Sequence, residues 1–120
     1  MHETYSHLDS HGHDLSKCIE ACSECHAMCE HMVYQHCLSM GGKHVGQEHL
    51  RLMADCAQIC RTSADFMLRG SPRHMLTCRI CAEICEACAE ECERIGEMDD
   101  CVEACRECAE ACREMAGSHV

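Results

Sequence analysis

The chain has 120 residues and a formal net charge of −11, with one Phe, two Tyr and no Trp among 47% hydrophobic residues. That length suits one compact domain, and so few aromatics favour closely packed helices over an aromatic β core. The ten basic residues are scattered among acidic ones, which excludes a phosphate backbone or an anionic lipid surface as a fitting partner.

Residues 1–13 carry His2, His7, His11 and His13 and read as a mobile His-containing tail; residues 14–120 read as the folded unit. The tail has no apolar run of signal-peptide length, and no later segment is apolar enough to span a membrane. The expected location is the cytoplasm, where thiols stay reduced. The 16 cysteines then read as metal ligands or reactive groups rather than disulfides.

Breaks at Gly41–Gly42, at Gly70–Ser71–Pro72 and at Gly96 divide the rest into four helices, about residues 15–40, 47–69, 72–95 and 98–116. The first carries "CIEACSECHAMC", with Cys18, Cys22, Cys25 and Cys29 three or four residues apart; continuing that step gives Met32, His36 and Met40, with Cys37 nearby. The second opens on His49 and Met53 before "CAQIC", with Cys56 and Cys60. Gly70 suits the end of that helix, Ser71 can cap the next, and Pro72 fits its first turn. The third carries "CRICAEICEACAEEC", with Cys78, Cys81, Cys85, Cys88 and Cys92. Met98 starts the fourth, followed by "CVEACRECAEAC", with Cys101, Cys105, Cys108 and Cys112.

Short connections make sequential helices antiparallel, so the predicted fold is an all-α, up-down-up-down four-helix bundle with a cysteine-lined core. Side chains three or four apart on a helix have Cβ atoms about 5–6 Å apart, whereas a disulfide needs roughly 3.5–4.5 Å. Neighbouring thiols on one helix therefore do not bridge. Cysteine acting merely as a small hydrophobe gives no reason to exclude Leu, Ile and Val from nearly every inward position of two helices, since it buries less apolar surface than any of them. A thiol redox protein needs one reactive pair and leaves the other cysteines unexplained.

Thiolate ligation selects Cu(I), zinc or iron–sulfur clusters. Structural zinc wants four tetrahedral donors, usually delivered from bendable loops, and iron–sulfur spacings also close around one cluster. Rigid helices offer a ladder of donors instead, which suits low-coordinate Cu(I). A monovalent ion replacing one thiol proton also leaves the core neutral, whereas four-thiolate zinc buries a residual negative charge. A zinc or cadmium thiolate buffer is the alternative.

The four quoted motifs, within a span from about Lys17 to Met115, resemble those of the bacterial copper storage proteins. The resemblance implies a non-enzymatic bundle that sequesters many Cu(I) ions on inward cysteines, of the cytosolic type, assembled as a homotetramer. It specifies no donor or acceptor protein.

Candidate metal ligands are thus all 16 cysteines together with His36, His49, Met53 and Met98, the latter near the end where helices one and three finish. Thioether and imidazole bind Cu(I) more loosely than thiolate and suit a site of uptake. Leu15, Met67, Met75 and Met115 read as a hydrophobic plug at the opposite end, with His74 open to either role. His26, His31, His44 and His119 are expected on the surface, and Glu83, Glu86, Glu90 and Arg94 on a solvated exterior. Leu52, Ile59, Phe66, Ile80 and Ile84 widen the core or meet another protomer.

Overall fold

A computed structural model describes residues 14–117. The expected tail over residues 1–13 and the last residues, 118–120, with His119, lie outside the described residues. Helix α1 covers residues 16–40 in three parts: α-helix over Ser16–His31, a π-helical stretch over Met32–Cys37, and a last α-helical turn over Leu38–Met40. A 3₁₀ turn at Gly42–Val45 leads into α2 (Gln47–Leu68), followed by α3 (His74–Ile95) and α4 (Asp99–Gly117). Each helix packs antiparallel on its sequence neighbours, and α4 closes the ring on α1. The described residues form the predicted up-down-up-down bundle, with no strand among them.

The turns follow from local chemistry. Asp14 Oδ1 accepts a hydrogen bond from the Ser16 N–H at 2.9 Å, satisfying one of the free donors at the start of α1. At the end of α2, the Gly70 N–H donates to the Met67 carbonyl and the Ser71 N–H to the Phe66 carbonyl, each at 3.0 Å. This is a Schellman motif, and its left-handed residue is Gly70, at φ +71°. Ser71 then caps the turn before α3 rather than the helix itself: its Oγ accepts from the Arg73 N–H at 3.1 Å, and α3 begins at His74, two residues after Pro72.

Alternation of Cys with Ala sets the packing. Beside the cysteine seams, Ala57, Ala64, Ala82, Ala89, Ala109 and Ala111 are buried, and their small side chains let the helix backbones approach closely. Leu52, Ile59 and Ile84 pack against this core as half-buried side chains, whereas Ile80 is exposed. Glu93 and Glu86 of α3 pair with Arg106 and Arg113 of α4 at 2.7 and 2.9 Å on the exterior. Such solvated pairs favour one helix register more than they add stability.

The π-helical stretch departs from the expected continuous α-helix. The Leu38 N–H reaches the Val33 carbonyl, one residue further than an α-helix allows. Met32 and Cys37, five apart, are therefore both buried; His36 is only half-buried, and Met40, expected on the seam, is exposed at 45%.

A thiolate ladder and a candidate mouth

All 16 cysteines are buried free thiols. From the end where α1 starts, sulfur contacts run Cys18–Cys112 (3.7 Å), Cys112–Cys22 (3.5 Å), Cys22–Cys108 (3.6 Å), Cys108–Cys60 (3.7 Å), Cys60–Cys85 (3.5 Å), Cys85–Cys56 (3.7 Å) and Cys56–Cys25 (3.8 Å). Cys81 lies 3.7 Å from Cys85, and Cys105 lies 3.7 Å from Cys25. These are packed thiols, since a disulfide would hold its sulfurs about 2.05 Å apart.

Nearer the other end the sulfurs gather around a thioether. Met53 Sδ is 3.5 Å from both Cys88 and Cys92 and 3.9 Å from Cys101, and Cys29 lies 4.0 Å from Cys101. Met53 is thus one layer inside the bundle, not on its rim with the histidines as expected. The two stretches are continuous, because Cys29 belongs both to a group with Cys25, Cys56 and Cys105 and to one with Cys88, Cys101 and Cys105, each within 4.8 Å.

That overlap decides what the core holds well. Any one group of four thiols has the size of a tetrahedral site, given Zn–S bonds of about 2.3 Å. Yet Cys60, Cys81, Cys85 and Cys108 form one group, while Cys60 and Cys85 also belong with Cys25 and Cys56, and Cys81 and Cys108 with Cys22 and Cys112. A separate four-thiolate zinc site in one group takes ligands from the next, so the groups cannot all be such sites at once. Ions that share bridging thiolates suffer no such exclusion.

The rim brings together five side chains from segments distant along the chain. Cys37 Sγ is 3.4 Å from His49 Nε2 and 3.8 Å from Met98 Sδ. The His36 and His44 rings are 5.3 Å apart, and His44 and His49 are 6.4 Å apart. His44 is only 3% exposed, which corrects its expected surface position. It is buried because its Nε2 meets the Gly96 carbonyl at 3.2 Å, tying the α1–α2 turn to the α3–α4 turn. No spacing in the sequence announces this contact between loops. His26, also expected on the surface, is half-buried with Nδ1 2.8 Å from the Ala57 carbonyl, whereas His31 is exposed as expected. Outside the rim, Met32, His36, Glu97, Asp99 and Asp100 line an open cavity of about 370 Å³.

The opposite end is sealed. Leu15, Met67 and His74 are buried, Met75 and Met115 half-buried, and Cys78 Sγ lies 3.9 Å from Met67 Sδ. His74 Nδ1 is 2.9 Å from the Ser71 carbonyl, which holds the imidazole in the turn.

The thiols do not share one protonation preference: Cys18, Cys25, Cys56, Cys81, Cys101 and Cys108 are shifted down by hydrogen bonds from neighbouring thiols, and the other ten are shifted up. Burial pushes the Cys37 thiol up, helped by the nearby Cys101 and Cys88. Hydrogen bonding to neighbouring thiols, and burial after it, holds Cys29, Cys60 and Cys112 protonated. Cys56 and Cys108 shift the other way, because a thiolate there accepts S–H donors from Cys105 and Cys112 first. Burial lowers His49 against the opposing pull of Glu91, so its imidazole is neutral and able to bind a soft ion.

Residues 11–117 match the model of the copper storage protein family. The chain belongs to that family. The Nmul_A1745 protein of Nitrosospira multiformis has a solved structure similar to this one, 53% identical, covering 87% of this chain and 95% of its own, with a TM-score of 0.85. The Cu(I)-bound copper storage protein BsCsp3 of Bacillus subtilis is 38% identical, covering 85% and 97%, with a TM-score of 0.79. The uncharacterized cysteine-rich protein YhjQ of Bacillus subtilis is 40% identical over 67 residues, 56% of this chain and 61% of that relative. The family's bundle and this chain's unbroken set of thiols thus agree. No described helix is long and apolar enough to cross a membrane.

Proposed function

We propose that this protein sequesters and stores Cu(I) as cargo, many ions per chain, on the thiolates inside its bundle. The observation that carries the reading is the continuity of the sulfur network: overlapping four-thiol groups run along the core, a design suited to bridged monovalent ions and wasteful for separate zinc sites. The role is non-enzymatic: the buried thiols serve as donors to the stored ions. The folded unit is one domain from residue 14 onward, and its reduced thiols suit the cytoplasm. Assembly into a homotetramer follows from the family resemblance.

The ligands are the 16 cysteines, with Cys37, His49 and Met98 forming a site of uptake at the mouth. His36 meets ions from the outer cavity, and Met53 hands them to Cys88, Cys92 and Cys101. The support is positional: at one end Cys37 meets His49 and Met98 beside His36, which lines an open cavity, whereas the other end is filled by the buried Leu15, Met67 and His74. Anaerobic titration against a Cu(I) chelator tests the function. If thiolates bridge pairs of ions, capacity is about 16 Cu(I) per chain; saturation at four or fewer ions refutes storage.

A further inference from the structure

We propose that Glu91 is a positioning residue for the mouth site: its carboxylate keeps the His49 proton on Nδ1, leaving the Nε2 lone pair aimed at Cu(I) beside Cys37 and Met98. This inference rests on the reading of that site as the place of uptake.

His49 is 1% exposed, and its two ring nitrogens face different chemistry. Nε2 lies 3.4 Å from Cys37 Sγ. Nδ1 is buried without a hydrogen-bond partner among the described residues, and the nearest charged group is Glu91 Oε2 at 3.9 Å. Closing that gap by about 1 Å makes a charge-assisted hydrogen bond of ordinary length. Metal-binding imidazoles commonly donate their second N–H to a carboxylate, which fixes tautomer and ring orientation.

Glu91 is held for this task. Arg94 donates Nε–H to Oε1 at 3.1 Å and Nη2–H to Oε2 at 2.8 Å. A carboxylate has about four lone-pair sites, so both oxygens keep capacity for a further donor. The Glu91 side chain is only 18% exposed, unlike the outer half of its ion pair. The His44 ring centroid is 6.4 Å from that of His49, and no hydrogen bond joins the two rings among the described residues. Glu91 is thereby the acceptor placed to select the His49 tautomer.

Long-range ¹H–¹⁵N NMR of the labelled apo protein reads the tautomer directly. Wild type and Glu91→Gln, whose amide oxygen still accepts, are expected to carry the proton on Nδ1, and Glu91→Ala to shift it toward Nε2. Stopped-flow Cu(I) uptake is expected to slow about tenfold in Glu91→Ala and to recover in Glu91→Gln, with circular dichroism unchanged. The same His49 tautomer in wild type and Glu91→Ala overturns the proposal, as does an Nε2–H wild type. If His49→Ala slows uptake while Glu91→Ala matches wild type, only the role of Glu91 falls. If His49→Ala has no effect, the reading of the mouth falls and the proposal with it.

Discussion

Cys37 Sγ and His49 Nε2 lie 3.4 Å apart across the turn between α1 and α2, at a separation of twelve residues. A thiol and a neutral imidazole thus face each other at the rim, with the Met98 thioether behind the thiol. The pair differs from the interior, where thiols meet other thiols and thioethers.

That difference predicts a separation of rate from capacity. Replacing His36, His49 and Met98 by Leu should slow Cu(I) uptake in stopped-flow experiments by about tenfold while leaving the final number of ions nearly unchanged. Met53→Leu should behave differently, because Met53 contacts three core thiols: the affinity of the layer containing Cys88, Cys92 and Cys101 falls. Unaltered uptake in the first set assigns those residues to packing alone.

Loading should release about one proton per Cu(I), because an unperturbed thiol is mostly protonated at pH 7 and each ion carries one charge. Four-thiolate zinc sites would release about four protons per ion and drive the chain more negative. A pH-stat titration, corrected for the carrier ligand, distinguishes them. A ratio of two or more counts against a neutral Cu(I)–thiolate core.

Apo-protein stability should fall on both sides of neutrality. The Cys37 pKa is raised in the folded protein, so its contribution is full below the unfolded value of about 8.5 and is lost as pH rises through the folded value. The His49 pKa is lowered, so its contribution is present above about 6.5 and is lost as pH falls through the folded value. Urea midpoints at pH 5, 7.5 and 10 should be highest in the middle, with the alkaline limb shallower in Cys37→Ala and the acid limb shallower in His49→Gln. Limbs that keep their wild-type slopes in both variants contradict the assignment.

Gly96 ends α3 at φ +88° and ψ +161°, a region open essentially to glycine alone, while a Cβ there would meet no atom within 4 Å. Gly96→Ala should therefore cost about 1–3 kcal/mol through backbone strain rather than collision. Thermal unfolding of the apo variant measures it. Because the Gly96 carbonyl faces His44, the same variant should loosen the mouth and leave the sealed end unchanged.

The helices and seams were legible because their cause is local. Spacings of three and four place Cys18, Cys22, Cys25 and Cys29 on one face wherever the chain is α-helical, and the Gly70 turn carries its own hydrogen bonds. Beyond Cys29 the same rule fails, since it puts Met40 inside and treats Cys37 as an extra. The π-helical stretch adds one residue to the turn, and its inward side chains, Met32 and Cys37, are chosen by what they pack against. Met53 was legible as a seam residue but not as the neighbour of three thiols, because those sit on α3 and α4.

The sequence by itself determined a helical bundle, a sulfur-lined interior and a soft, monovalent cargo, since periodicity, cysteine content and the softness of thiolate are properties of residues and their nearest neighbours. Spacing already marked His36, His49 and Met98 at one end of the bundle, and only the tertiary structure decided which residues join them there. His44 is buried by a hydrogen bond across two loops, Cys37 turns inward through a change of helical pitch, and Glu91 comes within 3.9 Å of His49 from another helix. Each depends on contacts between segments distant along the chain, whose free energy exists only once the bundle has closed.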